Sequence, residues 1–161
     1  MEKICYNPIG IIYTPYKKTE GVPIQATAAK GVSGRIEVFP EYADGLKDIQ
    51  GFSHIILIYH FHMSGEPRLR IKPFLDNRLH GVFSTRAPLR PNKIGISTVR
   101  LLNVEENILY IQDIDILNKT PLLDIKPYVP EFDVRYPVKT GWLEKNIHKL
   151  QTTVADKRFI K

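Results

Sequence analysis

Cysteine is nearly absent from this sequence. The one present, Cys5, makes no internal disulfide and cannot by itself build a thiolate metal site, so a reducing, cytoplasmic setting is the simplest expectation. Long apolar runs are missing too: the longest strictly aliphatic stretch, Ile55 to Ile58, falls far below the roughly 20 residues a membrane-spanning helix needs. The opening Met-Glu-Lys-Ile-Cys-Tyr lacks the basic-then-apolar pattern of an export signal. No Gly-x-Gly-x-x-Gly and no Walker A loop occurs, so any nucleotide-like cofactor must sit in a pocket built without them. Room for long helices is also scarce. Twelve prolines punctuate the 161 residues, and an interior proline breaks the helical hydrogen-bond ladder.

What is present has the balance of one globular domain, with 43% apolar and 25% charged residues. Strands are expected at Ile9–Tyr13, Gly34–Phe39, Phe52–Met63, Gly81–Thr85 and Leu122–Ile125, the last ending before Pro127. Ile94–Val104 and Ile108–Ile116 flank Glu-Glu-Asn and are expected to form a hairpin. Only Glu41–Ile49 and Trp142–Thr152 have a helical pattern. Many short strands argue for a mainly β chain, a barrel or a sandwich, and against a parallel Rossmann sheet.

The net charge of +6 is localised. Between Glu66 and Arg100 stand Arg68, Arg70, Lys72, Arg78, Arg86, Arg90, Lys93 and Arg100 against only Glu66 and Asp76. The remainder balances, with 15 of the 23 basic residues against 15 of the 17 acidic ones. A basic segment in a neutral scaffold is a candidate phosphate-binding face; a solvated loop rich in Arg and Lys is the alternative.

Three constellations carry candidate chemistry. On the strand from His54 to His62, alternation places His54, Ile56, Ile58, His60 and His62 on one face. His60, His62 and Glu66 have the spacing of a cupin's first metal motif, but its framing glycines and a second motif are lacking, so no metal is expected. The segment Phe83 to Ser97 holds two prolines and a glycine around Arg86, Arg90 and Asn92, whose planar groups offer several donors each; an arginine-capped turn is the structural alternative. Finally, Asp115 to Tyr128 contains a turn and then Asp124 and Lys126, which alternation sets side by side. They either converge on a ligand or form an exposed ion pair.

Together these segments resemble the TrmO family, also called YaeB or VirR-like. Phe83–Ser97 matches that family's Phe-x-Thr-Arg-[Ser/Ala]-Pro-x-Arg-Pro-Asn-x-Ile-Gly-x-Ser loop, and Asp124–Tyr128 matches its Asp-Ile-Lys-Pro-Tyr. Weaker matches are Ile9–Tyr16, Val22–Gln25 and Gly51–His54, so the likeness spans about residues 8–143. It implies a single small β-barrel domain over residues 1–143, with few short helices, of the non-Rossmann methyltransferase kind; the pattern at Trp142–Thr152 adds the expectation of a C-terminal helical tail over 144–161. The activity it implies is S-adenosylmethionine-dependent methylation of N6 of threonylcarbamoyladenosine at position 37, in the anticodon loop of tRNA, by a homodimer. By the same resemblance the cofactor contacts are Pro23, Ile24, Gln25, His62, Met63, Arg86 and the turn Asn118, Lys119, Thr120, Pro121. Arg68, Arg70, Arg78, Arg90, Asn92 and Tyr128 are expected to bind substrate, and Asp124 and Lys126 to act on the reacting group. The chain departs from the family's usual Asp-Gly-Thr-Pro by carrying Asn118-Lys119, and Ile24 and Met63 stand where polar residues are common. A cupin-like metalloenzyme and a non-catalytic RNA-binding barrel are the rival functions.

Overall fold

Alternation of apolar residues gives each strand one inward face. In the computed structural model, which describes residues 2–159, the strands are β1 (Gly10–Tyr13), β2 (Ser33–Val38), β3 (His54–His60), β4 (Arg70–Ile71), β5 (His80–Gly81), β6 (Ile94–Glu105), β7 (Ile108–Gln112) and β8 (Thr120–Pro127). Six close into an antiparallel barrel in the order β1-β2-β7-β6-β3-β8, while β4 and β5 pair separately. Along β3 the inward residues Ile55, Leu57 and Tyr59 are buried, and along β6 the pattern of buried Val99 and Leu101 continues it. Ile12, Ile36, Leu109, Ile111, Ile114, Ile116 and Leu122 complete a barrel core. A fully buried side chain of this kind stabilises by about 1.5–3 kcal/mol. The mainly β barrel architecture is therefore as expected.

The Ile94–Val104 and Ile108–Ile116 hairpin forms with β6 and β7 joined at Glu106-Asn107, Glu106 taking φ 53°. Three local expectations are corrected. Glu41–Ile49 is not an α-helix but a 3-10 segment (Pro40–Leu46), because Asp48 turns left-handed at φ 66° and breaks any continuous helix. Gly81–Thr85 is mostly a 3-10 turn over Val82–Ser84 rather than a strand. Pro127 does not keep the last strand short: β8 runs to Pro127, with its two prolines opposite Ile11 and Ile55, near the strand's ends where a missing N–H does least harm.

The C-terminal segment also differs from a helical tail. Trp142–Thr152 holds only 3-10 turns at Gly141–Leu143 and Ile147–Lys149, and residues 160 and 161 lie outside the described residues. Tertiary contacts decide its path. Gly21 N–H donates to the Ala155 carbonyl at 2.9 Å, and Ala155 N–H to that of Val22 at 2.8 Å. Phe159 packs with Ile71, Leu89 and Phe74. The tail thus crosses the mouth of the barrel and joins the segment carrying β4 and β5 in a second layer.

Candidate functional site

A cavity of about 810 Å³ lies where that second layer meets the barrel, within the roughly 300–1,000 Å³ common for small-molecule sites. Each barrel-side wall comes from a segment singled out in the sequence. Pro23, Ile24 and Gln25 come from the loop after β1. Tyr59, His62 and Met63 come from the end of β3 and the turn beyond it. The Phe83–Arg86 loop, Gly95 and Ile96 of β6, and Asp115–Leu117 with Thr120 before and on β8 complete the barrel side. Trp142, Leu143 and Phe159 close it from the tail.

The floor is tightly fitted. Tyr59 Oη lies 3.1 Å from Ser97 Oγ, and Ser97 Oγ donates to Asp115 Oδ1 at 2.7 Å. Burial pushes the Asp115 carboxyl up to about 6, against the pull of the Ser97 hydroxyl and the Arg86 guanidinium. Burial, reinforced by the Asp115 charge, holds the Tyr59 phenol well above its usual range. Gly95 is required here: a Cβ at that position would run into the Tyr59 ring. Desolvation, then the neighbouring His60, lowers the His62 imidazole, so the neutral ring faces the cavity.

The turn before β8 is pinned on both sides. Thr14 N–H donates to Asn118 Oδ1 at 3.1 Å, and Thr120 Oγ1 donates to the Leu117 carbonyl at 2.8 Å and lies 3.3 Å from His62 Nδ1. Lys119 occupies the left-handed region at φ 62°, the conformation that glycine takes without a Cβ clash. The turn thus keeps a glycine-type backbone without its glycine.

Of the residues expected at the cofactor, Pro23, Ile24, Gln25, His62, Met63, Arg86 and Thr120 line the cavity. Arg86 Nη1 donates to Gln25 Oε1 at 3.1 Å, joining two of its walls. Asn118, Lys119 and Pro121 lie behind the wall, Asn118 holding the turn and Lys119 exposed. Arg90 reaches the cavity, but its Nη1 donates to the Val82 and Thr85 carbonyls, so it also caps the loop. Asn92 is exposed beside it. Arg68, Arg70 and Arg78 are exposed on the second layer and form no salt bridge among the described residues.

Asp124 and Lys126 lie outside the cavity. Their side chains pair at 2.8 Å on the outer surface of the barrel, beside Ile58 and Ile56 of β3. Tyr128 packs edge-on against His54, at the end of β3 remote from the cavity. The expected shared face of His54, His60 and His62 does not hold, because β3 ends at His60 and the chain turns before His62. Glu66 is exposed, and no three His, Cys, Asp or Glu among the described residues come together as metal ligands. The cupin-like arrangement is thus not formed.

Three contributors went unread in the sequence: Tyr59, Ser97 and Asp115. Asp115 was masked by its setting, since the alternation Asp113-Ile114-Asp115-Ile116 reads as a strand whose carboxylates face solvent. The tail residues left no signal, because their place depends on distant chain. Trp142 Nε1, for example, donates to the carbonyl of Ser84, 58 positions earlier.

This chain is similar to known proteins over most of its length. The family model described as the tRNA-methyltransferase O N-terminal domain matches residues 11–134. A probable S-adenosyl-L-methionine-binding protein of Pyrococcus abyssi is 62% identical over 156 residues, covering 97% of this chain and 85% of that one. The tRNA (adenine(37)-N6)-methyltransferase of Escherichia coli is 35% identical over 140 residues, covering 81% of this chain and 60% of that one. The crystal structure of TrmO from Pseudomonas aeruginosa superposes with a TM-score of 0.74 at 34% identity, over 88% of this chain and 63% of that one.

Proposed function

The chain belongs to the family of the tRNA-methyltransferase O N-terminal domain, and from that premise we propose that it methylates N6 of threonylcarbamoyladenosine at position 37 of tRNA, with S-adenosylmethionine as donor. One observation carries the proposal: the Phe83–Ser97 loop and the turn before β8, far apart in sequence, wall a single cavity. The cofactor fits its chemistry. Apolar walls from Ile24, Met63, Ile116 and Leu117 suit an adenosine, while Gln25, Arg86 and Thr120 offer polar groups.

The bound cofactor supplies an activated methyl group; the protein's part is chiefly alignment, since in-line displacement depends on geometry. His62 is held beside Thr120, and Arg86 beside Gln25, so the two polar edges of the cavity are fixed before anything binds. Arg68, Arg70 and Arg78 face solvent to take phosphates of the anticodon loop, whose single-stranded base can be splayed into the cavity. A reducing, cytoplasmic location fits the one cysteine, and no helix among the described residues is long and apolar enough to cross a membrane.

The proposed unit is a homodimer. Ile56 and Ile58 on β3 and the exposed Ile94 and Ile96 on β6 form an apolar outer face, the kind of patch that marks an interface. Ile94 and Ile96 also line the cavity, so a second copy seated there would complete its wall. The same copy would bring Asp124 and Lys126, which rim this face, to a neighbouring cavity, where they would orient the threonylcarbamoyl group. The test is incubation with methyl-labelled S-adenosylmethionine and tRNA that carries or lacks threonylcarbamoyladenosine. Label is expected only in the first; label in neither, from folded protein, refutes the proposal.

A further inference from the structure

Two carboxylates line the cavity, and they differ in their partners. Asp156 is held by Arg158, with the nearest approach at 2.6 Å. Asp115 makes no salt bridge among the described residues; the one side chain among them hydrogen-bonded to it is Ser97, on Oδ1. The groups facing it are Tyr59 from β3, Tyr16 beyond β1, and Arg86 from the loop after β5, with the Ala26 backbone N–H also turned toward it. A carboxylate without a cation bound to it inside a cavity, and oriented by a hydroxyl that is itself held by a buried phenol, is costly to maintain. Structure alone gives it no purpose, since Ser97 and Tyr59 could satisfy each other.

We propose that Asp115 is the proton acceptor in methyl transfer, with Ser97 and Tyr59 as the residues that position it. This rests on the methylation proposed above. In the balanced step the S–CH3 bond breaks with its electron pair returning to sulfur, the N6–CH3 bond forms, and the N6 proton passes to Asp115, which becomes a neutral acid. An exocyclic N6 in a urea-like group is a poor nucleophile because its lone pair is delocalised. Its N–H becomes acidic as the new bond develops, so a nearby carboxylate suffices as base. Desolvation makes Asp115 a stronger base than an ordinary aspartate while leaving it ionised at neutral pH. Asp124 pairs with Lys126 on the outer surface, away from the cavity that Asp115 lines. The other candidate base in the cavity, His62, has Nδ1 beside Thr120 Oγ1.

Single-turnover methylation would be measured as a function of pH for the wild-type protein and for D115N, D115E, S97A and H62Q, alongside calorimetric S-adenosylmethionine binding. D115N is expected to lose about 100-fold or more in rate, the usual scale of a general base, while cofactor affinity changes by less than about threefold. D115E is expected to recover part of the rate. Independently of turnover, the Asp115 carboxyl resonance in the ligand-free protein should titrate near pH 6, and S97A should move both that titration and the inflection of the rate profile upward. D115N retaining its rate, H62Q alone abolishing it, or a D115N loss that only follows cofactor affinity overturns the assignment and leaves the methylation proposal standing. A wild-type protein with no methyl transfer overturns both.

Discussion

Ser97 Oγ donates to Asp115 Oδ1 at 2.7 Å, tying the middle of β6 to the chain that leads into β8. Asp115 lines the cavity and Ser97 is buried behind it, where their bond extends the β6–β7 pairing beyond Arg100 opposite Gln112. The pH dependence of stability follows. The Asp115 carboxyl sits at about 6 in the folded protein, against 3.8 for an unperturbed aspartate side chain. Its protonated form is therefore favoured by folding, and its stabilising contribution is complete below pH 3.8 and lost as pH rises through 6. D115N removes this penalty, so it should melt higher than wild type near neutral pH, by the equivalent of about 2–3 kcal/mol, and show little gain near the bottom of that range. Calorimetric melting of both proteins across these pH values checks it; a difference independent of pH contradicts it.

Lys119, at φ 62°, carries the cost of a left-handed non-glycine residue, about 1 kcal/mol. Lys119→Gly should relieve it and raise Tm by about 2–4 °C for a chain of this size. Since Lys119 does not line the cavity, S-adenosylmethionine affinity should stay unchanged. A lower Tm would show that the Lys119 side chain holds something that glycine cannot.

Much of the fold was legible in the sequence. The alternation in Gly34–Phe39, in the β3 segment and in the Glu-Glu-Asn hairpin is enough to identify a barrel or sandwich, because a strand's inward face must be apolar whatever its partner. The Phe83–Ser97 loop stood out because two prolines, a glycine and arginines in a fixed order constrain the backbone locally, whereas the Asn118–Pro121 turn was placed at the cofactor by the family resemblance. What escaped depends on distant contacts. Nothing local says that the tail returns to pack Phe159 on Ile71 and Leu89. Periodicity set Asp124 beside Lys126 correctly, yet it could not tell which side of the closed barrel they occupy.

Removal of positive charge from the second layer separates two kinds of arginine. Gln at Arg68, Arg70 and Arg78 should weaken tRNA binding and lower the slope of log affinity against log salt by about one for each phosphate no longer neutralised. Cofactor binding should be unaffected, because these three lie outside the cavity. Binding measured over a salt series decides it; an unchanged slope places the RNA on another face.

Asp124 and Lys126 provide the corresponding test of the proposed homodimer. As an exposed pair they add under about 1 kcal/mol of stability, so Asp124→Asn and Lys126→Met should barely alter Tm. If they act across the interface, single-turnover methylation falls at least about tenfold. If the proposed homodimer forms on this face, Ile58→Glu, placed beside Asp124, should yield monomer in light scattering and reduce turnover as well. Wild-type protein that is monomeric at micromolar concentration, or full activity in both charge variants, returns these residues to the scaffold.

Methylation of a modified adenosine in tRNA is tested most directly by nucleoside mass spectrometry. tRNA from cells lacking this protein is digested before and after incubation with the purified chain and S-adenosylmethionine. Threonylcarbamoyladenosine should decline as a species one methyl group heavier appears in equal amount. Unmethylated threonylcarbamoyladenosine throughout, from folded protein that binds the cofactor, would contradict the proposed activity.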